Sequence, residues 1–182
     1  MTSPEVRVAW YAAALEELSL FLTSDEIVWP LERPPAQLRQ DLSLGGLLLI
    51  QDSLRAEASL PAPTKQRLEE LERRWATLSR SQASALARKA EKELRMRVNL
   101  WKAYLADLGE RRGMTQEYQH QVRQRAMIER LADLGASQNL TGLDDQLRAV
   151  FRRGPFVWQT PLQSAYPESR YWFLYGAPET ED

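Results

Sequence analysis

Apolar positions along this chain fall mostly three and four residues apart, the spacing that lines up one face of an α-helix. The first run reads Val6, Trp10, Ala14, Leu18 and Phe21, widened by Leu15 and Leu22. Ser3-Pro4-Glu5 ahead of it is a helix start: a capping hydroxyl, a proline at the first helical position and an acid in the first turn. The spacing predicts a helix ending near Thr23. Residues 24–36, SDEIVWPLERPPA, contain three prolines and read as an irregular connection. A second helix is predicted from about Pro35 to Ala58, in which Gly45-Gly46 would permit a break. Leu42, Leu44 and the run Leu47 to Ile50 would point all round it, as in a buried central helix.

From Thr64 to Leu108 there is no proline and no glycine. One very long helix (about 64–108) is expected; at 1.5 Å per residue it would span roughly 68 Å. Its seam reads Leu68, Leu71, Trp75 and Leu78 at heptad spacing, as in a coiled coil. The seam weakens through SRSQAS at 79–84, where the serines would permit a bend in the one long helix. It resumes as Leu86, Ala90, Leu94, Val98, Trp101, Leu105 and Leu108. A short loop then leads to a helix over 115–134, with Tyr118, Val122, Ile128, Leu131 and Leu134 inward. Short loops make antiparallel neighbours. The second helix is too short to cover Leu71, Trp75 and Leu78, so these are expected to meet the N-terminal helices or a second copy of the chain.

A short helix is predicted over Leu143–Phe151, with Thr141 as a cap, followed by an aromatic tail. Seven of the sixteen aromatics lie in residues 156–175. The runs FVW (156–158) and RYWFLYG (170–176) suit strands paired as a hairpin. Alternation would then send Tyr171, Phe173 and Tyr175 to one face and Trp172 and Leu174 to the other. An exposed run of this kind would be an aggregation hazard. Tyr171, Trp172 and Phe173 are therefore read as clasp contacts on the helices, or as contacts to a partner chain. The fold class is thus all-α: four to six helices, one very long, with an aromatic β or extended tail. One domain is expected over 1–182, made of N-terminal helices (1–63), a helical hairpin (64–134), and the short helix with its tail (135–182).

With 43% hydrophobic and 27% charged residues the chain can bury a core and remain well solvated. No apolar stretch approaches the ~18 residues of a membrane span. There is no signal-peptide pattern and no cysteine, which excludes disulfides, thiol nucleophiles and thiolate metal sites. A cytoplasmic location is expected. The net charge of −1 conceals a basic middle: residues 64–130 carry 16 basic and 9 acidic side chains, whereas both flanks are acidic. Arg88, Lys92, Arg95 and Lys102 follow at i, i+4, i+7 and i+14 and share a helix face. Such a row can track phosphates, although Glu91 sits within it.

Catalytic patterns are scarce. His120 is the single histidine. Glu117 and His120 have the Glu-x-x-His spacing of di-metal bundles, but the second copy that such a site needs has no histidine to build it. There is no nucleophile elbow and no phosphate-binding glycine motif. No catalytic residue, cofactor or metal site is assigned. The reading is a non-enzymatic helical interaction or scaffold protein that self-associates as a homodimer or binds another protein. Two alternatives stand beside it: a nucleic-acid-associated protein using the basic face, and an enzyme or ligand-binding protein with a site in the bundle near Trp101, Tyr118 and His120.

Overall fold

Ser3 accepts a hydrogen bond from the Val6 amide and starts α1, Pro4–Thr23. The computed structural model describes residues 2–110 and 117–179. Five further helices of ten residues or more follow: α2 (Leu44–Arg55), α3 (Ala62–Ser81), α4 (Ala83–Glu110), α5 (Tyr118–Leu131) and α6 (Thr141–Val150). The fold is 70% helical, an all-α bundle with a small two-stranded sheet near its C-terminal end.

The long helical stretch is interrupted once. Gln82 leaves helical geometry (φ −116°, ψ 24°) and separates α3 from α4, inside the serine-rich SRSQAS stretch. α5 folds back along α4 antiparallel: Tyr104 meets Tyr118, and Arg97 meets Gln124 further along. The expected start of this helix at Thr115 lies outside the described residues. The first half of the seam finds its cover within the chain. α1 packs along α3; Arg74 donates to the Leu15 carbonyl at 3.1 Å, and Gln82 to the Ser19 hydroxyl at 2.7 Å. Leu71 is buried, and Trp75 and Leu78 are half-buried against the core.

α2 corrects the expected helix from Pro35. It begins at Leu44, capped by Ser43; the residues before it are irregular, with a turn closed by the Leu38 amide on the Pro35 carbonyl and with Trp29 and Leu42 bridging through both backbone amides. The paired glycines do not break the helix; they form its first turn, where a close approach is needed. A Cβ on Gly45 would sit 2.8 Å from the Met127 Cβ and 3.0 Å from a Glu93 oxygen. Gly45→Ala is expected to cost about 1–3 kcal/mol by overpacking, measurable as a lower urea midpoint at constant slope.

The tail is corrected too. The segment around Tyr171 is not a strand: α7 is a single turn, Glu168–Tyr171, and Trp172–Leu174 continue as a 3-10 turn. The strands are β1 (Phe151–Phe156) and β2 (Tyr175–Pro178), antiparallel, with Phe151 opposite Pro178 and a bulge between Arg153 and Phe156. The helical turn directs both Phe173 and Leu174 inward, which strict alternation forbids. Rings then run in contact from Trp101 through Tyr104, Tyr118, Phe151 and Trp172 to Phe173 and Tyr171.

Candidate functional site

α2, α5 and the segment after β1 do not close completely on one another. Between them lies a cleft of about 590 Å³. α5 contributes Gln119, His120 and Arg123, whose spacing places them on one side of the helix. α2 contributes Leu49, Ile50 and Ser53, and Arg7 enters from α1. Val157, Trp158, Leu162 and Tyr166 form the opposite wall. That wall is fastened to α5 by the Trp158 indole, which donates to the Gln119 carbonyl at 3.0 Å. Trp158 and Tyr166 meet edge to face at 5.2 Å, with Trp158 half-buried at the cleft and Tyr166 buried behind it.

The polar groups of the cleft differ in how far the fold has used them. Arg7 is 4% exposed and donates to the Ser53 carbonyl and to Glu57. Its Nε has no partner among the described residues. Surrounding protein lowers the pKa of Arg123 against an opposing pull from Tyr166, and the like charge of Arg97 adds to the fall, although the side chain keeps exposed surface. Burial pushes the Tyr166 phenol up, with Asp52 adding to the rise. Asp52 lies beneath the cleft; burial raises its pKa against the pull of Arg130 and Arg55.

The aromatic wall is held by an alternating chain of charges. Asp52 meets Arg130 at 2.9 Å, and Arg130 meets Asp133. Asp133 meets Arg170 at 2.8 Å, and Arg170 meets Glu129 at 2.9 Å. Glu129 meets Arg125 at 2.8 Å, and Arg125 grips Asp144 with two bonds of 3.0 and 3.1 Å. The chain ties α2, α5, α6 and α7 together. Burial acts to raise the Glu129 pKa, but Arg125 and Arg170 outweigh it and hold the carboxyl below its ordinary 4.5. A depressed carboxylate stabilises the fold above its unfolded-state pKa and loses that contribution as pH falls through the folded value. Glu129→Gln is therefore expected to be less stable than the wild type near neutral pH. The two urea midpoints should converge as pH falls below about 4.5.

The residues singled out in the sequence are scattered rather than gathered. Arg88, Lys92, Arg95 and Lys102 are all exposed along α4, but Lys92 pairs with Asp25 at 2.9 Å and Arg95 lies 3.8 Å from Glu91. Tyr171 and Phe173 are buried in the chain's own core, and Trp172 is half-buried under the Arg148 guanidinium at 3.9 Å. Of the trio Trp101, Tyr118 and His120, the first two are fully buried; Tyr118 donates to the Phe173 carbonyl at 2.6 Å. Only His120 reaches the cleft. Among the described residues no group of three or more histidine, aspartate or glutamate side chains is placed to hold a metal ion. No described helix is long and apolar enough to cross a membrane. Arg7, Arg123 and Trp158 were not assigned to a site by sequence; the neighbourhood of His120 on α5 was the one local signal. A larger hollow of about 800 Å³ lies beside α1 and α3. Glu17 in its wall is already occupied by the Trp29 indole and the Glu32 amide.

No family model matches the chain, and no curated protein or solved structure matches it significantly.

Proposed function

We propose that this is a cytoplasmic, non-enzymatic binding protein whose recognition site is the cleft between α2, α5 and the segment after β1. The observation that carries the reading is the cleft's composition. An aromatic corner, half-buried Trp158 backed by buried Tyr166, shares the lining with Arg123 and His120, two exposed polar side chains that no described carboxylate meets. Sites for small organic ligands combine apolar wall with convergent polar groups in volumes of roughly 300–1,000 Å³, and this cleft, more polar than most, falls in that range. The cysteine-free sequence supports the location.

This reading replaces the scaffold as the leading one because α1 covers the α3 seam, which was the reason to expect a second copy. Nucleic-acid contact along α4 has weaker support, since Lys92 and Arg95 already have carboxylate neighbours. A chemically mixed fragment set, followed by amide and indole NMR shifts on the full chain, tests the proposal. Binders are expected to move the Trp158 indole N–H and the amides of residues 119–123 together. A set in which no fragment moves those signals would overturn it.

A further inference from the structure

We infer that the cleft selects organic anions: a carboxylate or phosphate carried on a flat, apolar ring. The inference rests on the binding reading above and adds the chemistry of the ligand.

Three observations point to an anion. First, the cleft lining contains Arg7, Arg123 and His120 and no carboxylate. A chain with 25 acidic and 24 basic residues has no compositional reason for that imbalance. Second, Arg123 differs from the other arginines of its helix. Arg125 is held by Asp144 and Glu129, and Arg130 by Asp52 and Asp133. Among the described residues Arg123 has no carboxylate partner. Its guanidinium stays exposed to the cleft, and the like charge of Arg97 acts on it. A cation in that position is stabilised by whatever negative charge arrives. Third, Arg7, more than nine-tenths buried in the same wall, adds a second guanidinium to the local field, and among the described carboxylates only Glu57 meets it. Arginine presents planar, divergent N–H groups that suit carboxylate and phosphate oxygens.

The aromatic corner sets the shape of the rest of the ligand. Trp158 is pinned through its N–H to α5, and Tyr166 is nearly fully buried, so neither is free to collapse into the space. A planar ring can stack on the part of Trp158 that remains exposed, with Tyr166 backing it from behind. Leu49, Ile50 and Leu162 offer apolar surface behind it.

The test uses four probes on one naphthalene body: 2-naphthoate, 2-naphthyl phosphate, neutral 2-naphthylmethanol and cationic 2-naphthylmethylamine. Each is titrated into the full chain by calorimetry and by the Trp158 indole signal. At least one anion is expected to bind at least about tenfold more tightly than the alcohol, and the amine more weakly than the alcohol, because a charge-assisted hydrogen bond to arginine is strong when solvent is excluded. Which anion binds more tightly identifies the head group. Arg123→Gln is expected to bring the preferred anion down to the level of the alcohol, with no change in melting temperature, since Arg123 is exposed and ties no element to another. Arg123→Glu should shift the preference towards the amine. Equal binding of anion and alcohol would overturn the anion inference and leave the cleft reading intact. Anion binding that survives Arg123→Gln, or that does not move the Trp158 signal, would also overturn it. Silence of all four probes would overturn it as well, and the cleft reading would fall with it only if the fragment set were silent too.

Discussion

Glu93→Ala is expected to destabilise the protein by about 3–5 kcal/mol, the cost of removing one partner of a buried, hydrogen-bonded charge pair. Glu93 is 0% exposed. One carboxylate oxygen accepts from the Leu44 amide at 2.7 Å, and the other from the Gly45 amide at 3.1 Å. These are among the first N–H groups of α2, which the helix cannot satisfy itself. The same carboxylate accepts from the Arg97 Nε at 3.0 Å and Nη2 at 2.9 Å. Alanine would leave the amides unpaired. It would leave Arg97 with only the Ser43 hydroxyl and the Gln124 side-chain oxygen, both neutral. A loss of this size is a large share of a typical ~5–15 kcal/mol stability. Urea unfolding should show the midpoint falling with an unchanged slope. Two comparisons separate charge from packing. Glu93→Gln should cost less, because one acceptor survives. Joint replacement of Glu93 and Arg97 by methionine should recover part of the loss, as no charge is then stranded. A single alanine variant as stable as the wild type would mean that water takes over every one of these bonds.

Phe173→Ala is expected to lower stability by about 3–5 kcal/mol as well, by a different route: a large cavity in a packed core. The ring is 0% exposed and lies 4.5 Å beneath the Arg125 guanidinium. Its neighbours Tyr171 and Trp172 touch it edge to face. At roughly 2–4 °C per kcal/mol for a chain of this size, the melting temperature should fall by about 6–20 °C. Ending the chain at Pro167 is expected to be more damaging. It removes β2, the Arg170 link of the ion-pair chain and the carbonyl that satisfies the Tyr118 hydroxyl. That truncated chain should be insoluble or lose its cooperative unfolding by circular dichroism. A truncated chain with the wild-type melting temperature would show that the C-terminal segment is dispensable to the fold.

The amphipathic helices were legible because their pattern is local. Ser3, Pro4 and the run Trp10, Ala14, Leu18 and Phe21 carry α1 in full view, and those four apolar residues are all buried. The proline-free stretch to Leu108 announced α3 and α4, and its serine-rich centre marked the place where Gln82 interrupts it. Two elements were misread for related reasons. The apolar run Leu42 to Ile50 looks the same whether or not it is helical throughout. What stops the helix short of Leu42 is the backbone bridge from Trp29, thirteen positions away, together with Glu93 capping from another helix. RYWFLYG looks like a strand by composition. It is turned into a helix because Arg170 and the Phe173 carbonyl are both drawn towards α5.

Sequence alone determined the class of this protein, the order of its helices, the antiparallel return of α5 and the absence of thiol chemistry. Each follows from periodicity, capping residues or counts, which act over a few positions or need no geometry at all. Only the tertiary structure decided where α2 begins, how the tail enters the core and which charges meet. It also created the cleft, whose walls come from segments more than thirty residues apart. Arg123 is one more arginine on a basic helix until folding supplies acids to its neighbours and none to it. Pairing and burial of that kind depend on distances between remote segments, and no local pattern encodes them.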